Sequence, residues 1–260
     1  MIVVRPKQHF GQHFLKEEGI AQRIATSLTG HGGYTRVLEI GPGTGALTRH
    51  LLQRHDLDLT AIELDAEAAA YLRSEHPDLQ LVEGDFLKLD LKTLTHDEPF
   101  AVIGNFPYNI STQIVFRVLE HRDRCTEVVG MFQKEVADRL CAPPGSRTYG
   151  ITSVLAQAWY DLESLFHVEP GSFIPPPKVR SSVIRMRRNG VQQLPCDEKV
   201  FTALVKMAFN QRRKTLNNAL KGFPGLEGGV PEPWRGLRAE RLSVADFTAL
   251  ALAARPAGSS

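Results

Sequence analysis

Short apolar runs alternate with segments of helical periodicity between residues 36 and 132, and this alternation restricts the fold more than any other feature of the sequence. The runs 36–40, 57–63, 79–84, 100–104 and 128–132 have the length and composition of buried strands. In the segments between them apolar residues recur at helical spacing, as in Leu47 and Leu51 or Ile114 and Val118. Strands that alternate with helices predict a Rossmann-like α/β fold with a mostly parallel, doubly wound sheet.

The pattern changes after the fifth run. Two further apolar runs, 165–168 and 183–186, have no long helix between them, so we expect an antiparallel hairpin that closes the sheet. The intervening segment 173–178 contains three consecutive prolines and is predicted to be a stiff loop. Beyond Gly190 the periodicity is purely helical and includes a capping box from Ser243 to Asp246. We therefore expect an α/β domain over residues 1–190 and a small all-helical domain over residues 191–260.

Composition narrows the class of protein. No apolar run approaches the ~18 residues of a membrane span, and the first 16 residues lack the apolar core of a secretory signal. Every formal charge from Arg5 to Lys16 is positive, which makes this segment a basic lead-in. The three cysteines have neither disulfide-type nor metal-ligand spacing. We expect a cytoplasmic monomer that has no bound metal and does not associate with a membrane.

A glycine-rich loop follows the first predicted strand. It reads Glu39-Ile-Gly-Pro-Gly-Thr-Gly45, and its glycines allow a ligand to approach the backbone closely. Glu63 ends the second strand, where a carboxylate can accept hydrogen bonds from both hydroxyls of a ribose. Since Gly41, Gly43 and Ala46 also fit the dinucleotide fingerprint, these residues are compatible with either NAD or S-adenosylmethionine.

Polar residues also follow the third and fourth predicted strands. Asp85 comes directly after the third strand, from which its carboxylate can reach the exocyclic amine of an adenine. Asn105, Phe106, Pro107 and Tyr108 follow the fourth strand and offer an amide, a proline-stiffened turn and an aromatic ring. Each is also an ordinary turn residue. Because the carboxyl edge of an α/β sheet is where ligands bind, the combination favours a site for a nucleotide cofactor and a planar, amine-bearing base.

With this tetrapeptide, the sequence resembles the class I S-adenosylmethionine-dependent methyltransferases that methylate the exocyclic nitrogen of adenine. Other motifs extend the likeness over nearly the whole chain: Phe10-Gly-Gln-His-Phe-Leu15, Ile62-Glu-Leu-Asp65, Gly104-Asn-Phe-Pro-Tyr-Asn-Ile-Ser111, Gln133-Lys-Glu135, Phe173-Ile-Pro-Pro-Pro-Lys-Val179 and Phe209-Asn-Gln-Arg-Arg-Lys-Thr215. Together they are similar to the KsgA-type small-subunit rRNA adenine dimethyltransferases. That family usually has Asn at the position of His13 and Leu at the position of Phe106.

The resemblance implies an enzyme that uses S-adenosylmethionine to form two adjacent N6,N6-dimethyladenosines near the 3′ end of small-subunit rRNA, within the pre-30S particle. It also implies which residues contact the cofactor: His13, Leu15, Gly41, Gly43, Glu63, Asp85 and Asn105.

Catalysis of this kind depends on positioning more than on a strong base. The Asn105 oxygen and the carbonyl of Phe106 or Pro107 are expected to accept the N–H hydrogens of the adenine amine. The base must leave its stack, and we expect the rings of Tyr108 and Phe173 to stack on it and offset that cost.

Two groups of cations are candidates for phosphate contacts. Arg185 and Arg187 alternate onto one face of a strand, and Arg212, Arg213 and Lys214 adjoin a helical stretch of the second domain. Clustered cations are typical of RNA-binding surfaces, although a solvated charged face is the ordinary alternative.

Three other functions remain open from the sequence. A DNA adenine methyltransferase would share the cofactor site and the tetrapeptide. An RNA-binding ribosome assembly factor would need the basic residues but little or no catalysis. An NAD oxidoreductase is compatible with the glycines alone.

Overall fold

The computed structural model describes residues 6–7 and 11–254, so Arg5 and Phe10 of the predicted basic lead-in lie outside the described residues. The strands are β1 Phe14–Leu15, β2 Arg36–Ile40, β3 Asp58–Glu63, β4 Gln80–Glu83, β5 Phe100–Asn105, β6 Cys125–Gln133, β7 Tyr160–Val168, β8 Phe173–Ile174 and β9 Ser181–Arg188. The helices are α1 Glu18–Ala25, α2 Thr48–Leu51, α3 Ala66–Glu75, α4 Leu91–Thr95, α5 Ser111–Glu120, α6 Lys134–Leu140, α7 Ile151–Gln157, α8 Glu198–Asn210, α9 Leu216–Ala219 and α10 Val244–Ala253.

Seven strands form the main sheet in the order β4-β3-β2-β5-β6-β9-β7. The first five of these positions are parallel, whereas β9 pairs antiparallel with both β6 and β7. The order of the parallel strands reverses between β2 and β5, which creates a topological switch point there. The predicted Rossmann-like fold and the antiparallel hairpin are both confirmed.

The central strands are apolar because helices cover both faces of a parallel sheet. In β5, the residues from Phe100 to Ile103 are at most 1% exposed. Such a strand has no solvent-facing side, so it appears in the sequence as a continuous apolar run. This explains why the runs 36–40 and 100–104 marked the positions of strands so closely.

A second, two-stranded sheet ties the start of the chain to the predicted proline loop. In this sheet β1 pairs antiparallel with β8, with Leu15 opposite Phe173 and Phe14 opposite Ile174. The prediction that the whole segment 173–178 is loop was therefore wrong for its first two residues. The physical reason is that Phe173 and Ile174 precede the prolines and keep the backbone N–H groups that a strand requires.

The chain divides into two compact units. One contains the described residues up to Ala137 together with Tyr160–Asn189, and the other contains Asp138–Trp159 together with the described residues from Gly190 onward. The observed division differs from the predicted boundary at residue 190 in one stretch. Asp138–Trp159 was expected in the first domain but belongs to the second unit. Within the second unit α7 packs against α8, which accounts for this grouping. No helix among residues 6–7 and 11–254 is long and apolar enough to cross a membrane.

The last helix of the second unit begins with the predicted capping box, which the structure confirms. Ser243 Oγ accepts the Asp246 N–H at 3.1 Å, and the Asp246 carboxylate accepts the Ser243 N–H at 2.9 Å. Trp234 Nε1 donates a further hydrogen bond to Asp246 at 3.1 Å. These contacts satisfy amide groups that the first turn of α10 would otherwise leave unpaired.

We expect Ser243→Ala to lower the free energy of unfolding by about 1 kcal/mol, because the N–H of Asp246 loses its acceptor. Ser243→Thr keeps a hydroxyl at this position and should lose less than half as much. Denaturant titration followed by circular dichroism measures both values. An alanine variant as stable as the parent protein would contradict the assignment of the cap.

Candidate active site

A cleft of about 800 Å³ lies at the carboxyl ends of four adjacent parallel strands. Each strand contributes one residue that the sequence singled out, namely Gly41 after β2, Glu63 in β3, Asp85 after β4 and Asn105 in β5. These strands flank the switch point of the sheet, where open α/β folds bind ligands.

The glycine-rich loop forms one wall of the cleft. Gly41 and Gly43 have φ angles of 64° and 57°, in the left-handed region that favours glycine. A Cβ atom on Gly43 would lie 2.9 Å from Cε1 of Phe14, so the loop also packs tightly against the N-terminal segment. The Gly43 N–H donates to Glu63 Oε2 at 3.0 Å. The loop is therefore fixed by backbone conformation and by a buried carboxylate.

Glu63 is only 4% exposed, and backbone groups orient its carboxylate. In addition to Gly43, the Asp65 N–H donates to Oε1 at 2.9 Å. Burial raises the pKa of Glu63, while the two backbone hydrogen bonds act in the opposite direction. Since each carboxylate oxygen has two acceptor positions, Glu63 can still accept hydrogen bonds from a ligand that enters the cleft.

Asp85 also lines the cleft. Its Oδ1 accepts the Leu87 N–H at 3.0 Å, and Lys88 Nζ lies 3.3 Å from Oδ2. Apolar side chains of Leu64 and Phe86 line the cleft beside it. Neither residue was among those predicted from the sequence, although each directly follows a predicted polar residue. An apolar wall next to a carboxylate suits a planar base with an exocyclic amine.

Asn105 lines the cleft, and the N-terminal segment fixes its amide. The Asn105 Nδ2 group donates to the backbone carbonyl of His13 at 2.8 Å. With Nδ2 engaged, Oδ1 is the side-chain atom left to accept a hydrogen bond from a ligand. Leu15 lies in a smaller adjoining cavity, which Gly41 and Asn105 also line.

Tyr108 and His13 form an aromatic pair at the cleft. Their ring centroids are 5.2 Å apart with an interplanar angle of 32°. The Tyr108 hydroxyl is hydrogen bonded to the Ser181 hydroxyl, and His13 Nδ1 donates to the carbonyl of Pro175 at 2.8 Å. Burial raises the pKa of Tyr108, so the phenol stays neutral at ordinary pH. Ser181 of β9 thus holds the Tyr108 ring, and Pro175 of the proline-rich segment holds the His13 ring.

Phe173 does not face the cleft. It is 1% exposed and belongs to the hydrophobic core, together with Leu15 and Val183. Because side chains alternate along a strand, Phe173 in β8 points inward while Ile174 is 55% exposed. The prediction that the Phe173 ring stacks on a base was therefore wrong. Phe106 is likewise 1% exposed, so only its backbone can contact a ligand, as the predicted carbonyl role requires. Pro107 lines the cleft beside it.

The predicted phosphate-binding cations differ in how accessible their side chains are to a ligand. Arg185 donates to Glu163 at 2.7 Å and to the carbonyl of Ser27 at 3.2 Å. Arg212 donates to the carbonyl of Arg147 at 2.6 Å. The side chain of Arg185 is only 17% exposed, which contradicts the prediction that it is available to RNA, whereas that of Arg212 is 39% exposed and its contact with RNA stays a prediction.

Of the other three predicted cations, two are exposed. Arg187 is half-buried in β9, whereas Arg213 and Lys214 are exposed in the turn after α8. Among the residues that the structure describes, no cluster of three or more His, Cys, Asp or Glu side chains could hold a metal ion.

A second buried carboxylate, Glu39, lies beneath the glycine loop. Glu39 is 1% exposed, and its Oε2 accepts the Thr48 hydroxyl at 2.8 Å. Burial raises the pKa of Glu39 to about 8, and the nearby charge of Glu63 adds to this effect. The sequence placed Glu39 at a strand end but gave no sign that it would be enclosed.

The raised pKa of Glu39 predicts a specific pH dependence of stability. Between its usual pKa of 4.5 and about 8, the folded protein binds this proton more tightly than the unfolded chain does. Stability should therefore fall as pH rises through that window, by at most about 1.4 kcal/mol per pH unit. Glu39→Gln removes the titration while keeping an acceptor for Thr48. We expect the stability of the variant relative to the parent protein to increase from pH 5 to pH 8. Urea titrations at these pH values measure the free energy of unfolding, and a constant difference between the two proteins would contradict the assignment.

Comparison with known proteins gives consistent matches over nearly the whole chain. A family model described as "Ribosomal RNA adenine dimethylase" matches residues 3–227. Two proteins named "Ribosomal RNA small subunit methyltransferase A", from Cytophaga hutchinsonii and Flavobacterium johnsoniae, are 53% and 51% identical to this chain. These matches cover 94% and 95% of this chain, and 95% of each relative.

Solved structures agree with the sequence matches. A dimethyladenosine transferase from Plasmodium falciparum superposes with a TM-score of 0.77 at 25% identity, over 92% of this chain and 96% of the other. The 23S rRNA methyltransferase ErmE superposes with a TM-score of 0.69 at 26% identity, over 92% of this chain and 99% of the other. Both similarities extend through both compact units.

Proposed function

The chain belongs to the ribosomal RNA adenine dimethylase family, and from this premise we propose that it methylates the N6 atoms of two adjacent adenosines near the 3′ end of small-subunit rRNA. The observation that carries the proposal is the oriented amide of Asn105, which lines the same cleft as Glu63 and Asp85. A monomer acting in the cytoplasm on the pre-30S particle is part of the same proposal.

The residues around the cleft fit S-adenosylmethionine. Glu63 is placed to accept hydrogen bonds from ribose hydroxyls, and Asp85 is placed to accept one from an adenine amine. Leu64 and Phe86 supply apolar faces for the adenine ring, and the left-handed backbone at Gly41 allows close approach. When bound, S-adenosylmethionine supplies a methyl group on a positively charged sulfur.

The tetrapeptide activates the target amine by position. The lone pair of an adenine N6 atom is delocalised into the ring, which makes the nitrogen a poor nucleophile. Hydrogen bonds from the amine to Asn105 Oδ1 and to the carbonyl of Phe106 or Pro107 favour a pyramidal nitrogen with its lone pair directed at the methyl group. No strong base is needed, because the methylated nitrogen is acidic and readily loses its proton.

The target base must leave its stack to reach the cleft, at a cost of a few kcal/mol. Stacking on an aromatic ring returns roughly 1 to 3 kcal/mol per base. Since the Phe173 ring is buried, we assign this stacking to Tyr108, whose ring is held by Ser181 and His13.

A 23S rRNA substrate is the second candidate, because the superposition with ErmE is also extensive. The relatives that are about half identical to this chain favour the small subunit, since their names specify it. Methyl transfer to immature small subunits, compared with immature large subunits under the same conditions, decides between the two. Exclusive transfer to the large subunit would overturn the proposal.

We expect Asn105→Ala to lower the rate of methyl transfer by about 100-fold, because the amine loses an acceptor that aligns its lone pair. Asn218→Ala, an exposed asparagine of the second unit, serves as the matched control and should retain full activity. Transfer of a labelled methyl group to immature small subunits measures the rate. An Asn105→Ala enzyme with parental turnover would show that this amide does not act on the reacting atoms.

Binding of RNA should depend on Arg213 and Lys214, which are exposed. We expect the double variant Arg213→Gln/Lys214→Gln to bind RNA more weakly and to reduce the slope of log affinity against log salt by about 1.5 to 2. Arg73→Gln removes an arginine that is about half exposed in the other unit and should leave the slope unchanged. Filter binding between about 50 and 200 mM salt measures the slopes, and equal slopes for all three proteins would exclude phosphate contacts at these positions.

A further inference from the structure

The ring of Phe106 lies in a slot whose floor is made by two glycines on neighbouring strands. Gly104 of β5 and Gly130 of β6 are direct partners in the parallel pairing of these strands. A Cβ atom on Gly130 would lie 2.3 Å from Cε2 of Phe106, and one on Gly104 would lie 2.9 Å from Cδ1 of the same ring. Such distances are too short for any side chain larger than hydrogen, so the ring rests directly on the backbone.

Other contacts close the slot. The rings of Phe106 and Phe132 meet edge to face with centroids 5.2 Å apart, and both side chains are at most 1% exposed. A Cβ atom on Gly104 would also come within 2.6 Å of the carbonyl oxygen of Ile40. The Phe106 ring is therefore packed between the backbone of two strands and the ring of Phe132.

We infer that Gly130 is a positioning residue for methyl transfer, acting through the buried ring of Phe106 on the backbone of the Asn105–Tyr108 segment. The inference rests on the proposed function for its catalytic readout. Phe106 is joined directly to Asn105, whose amide must be held for hydrogen bonding, and to Pro107, whose carbonyl lies on the same segment. A displacement of the ring moves both acceptors.

The size of the effect follows from the geometry of the reaction. A misplacement of about 1 Å in a group that aligns reactants can cost about 100-fold in rate. Gly130 itself lies in the sheet and does not line the cleft. Its substitution should therefore alter turnover without removing any group that binds the cofactor or the RNA.

The test compares Gly130→Ala, Phe106→Leu and the double variant with the parent protein. We expect Gly130→Ala to lower kcat by about 10- to 100-fold, with KM for the RNA changed less than about threefold. Phe106→Leu removes ring atoms that the new Cβ would meet, although Phe132 still lies 2.8 Å from it. The alanine substitution should therefore cost at least threefold less in kcat in the Phe106→Leu background than in the parent protein.

Val129→Ala is the matched control. Val129 is buried on the opposite face of β6, so its truncation weakens the same strand without touching Phe106. We expect it to lower the melting temperature but to leave kcat within about twofold. A loss of kcat in Val129→Ala equal to that in Gly130→Ala would overturn the inference, as would equal losses for Gly130→Ala in both backgrounds.

Two readouts do not depend on catalysis. A double-mutant cycle on unfolding free energy should show that Gly130→Ala is less destabilising in the Phe106→Leu background, and additive effects would overturn the inference. If Gly130→Ala does not fold while the double variant does, the predicted coupling is supported. If neither folds, Phe106→Val decides, because a kcat equal to that of the parent protein would show that the side chain in the slot does not position the segment. An inactive parent protein would refute the proposed function and leave the stability cycle as the test.

Discussion

The register of four parallel strands is the constraint on which the site depends. Strands β2, β3, β4 and β5 end at one edge of the sheet, so residues far apart in the sequence are brought around a single cleft. The reversal of strand order between β2 and β5 separates the following helices and leaves the space that a ligand needs. The proposed methyl transfer requires only that cofactor and base meet at this edge in a fixed orientation.

Backbone groups and buried polar residues hold that orientation. Glu63 accepts an amide hydrogen bond from Gly43 of the glycine loop, and the Asn105 amide is fixed by the carbonyl of His13. The Asn105 bond crosses 92 residues of sequence and joins β5 to the segment that precedes β1. The N-terminal segment therefore contributes to the site by orienting a side chain as well as by lining the cleft.

Burying two carboxyl groups near the cleft lowers the stability of the fold. Glu63 lines the cleft and Glu39 lies beneath the glycine loop, and burial raises the pKa of each. A packed apolar pair would be more favourable for folding alone. The structure retains these buried carboxyl groups in and beside the cleft where a ligand with hydroxyl groups is proposed to bind, which is typical of functional sites.

The sequence by itself determined the strands of the main sheet, the capping box of α10 and the residues at the strand ends, because strand burial, helix capping and turn chemistry are local properties that follow residue type. It could not determine which way Phe173 points or that Arg185 is paired with Glu163, since both depend on contacts between distant segments. Gly130 carries no local signal at all. Only the pairing of β5 with β6 places it against the ring of Phe106. The lack of a side chain at Gly130 matters because the ring occupies the space that a Cβ atom would need, and the sequence does not show that contact.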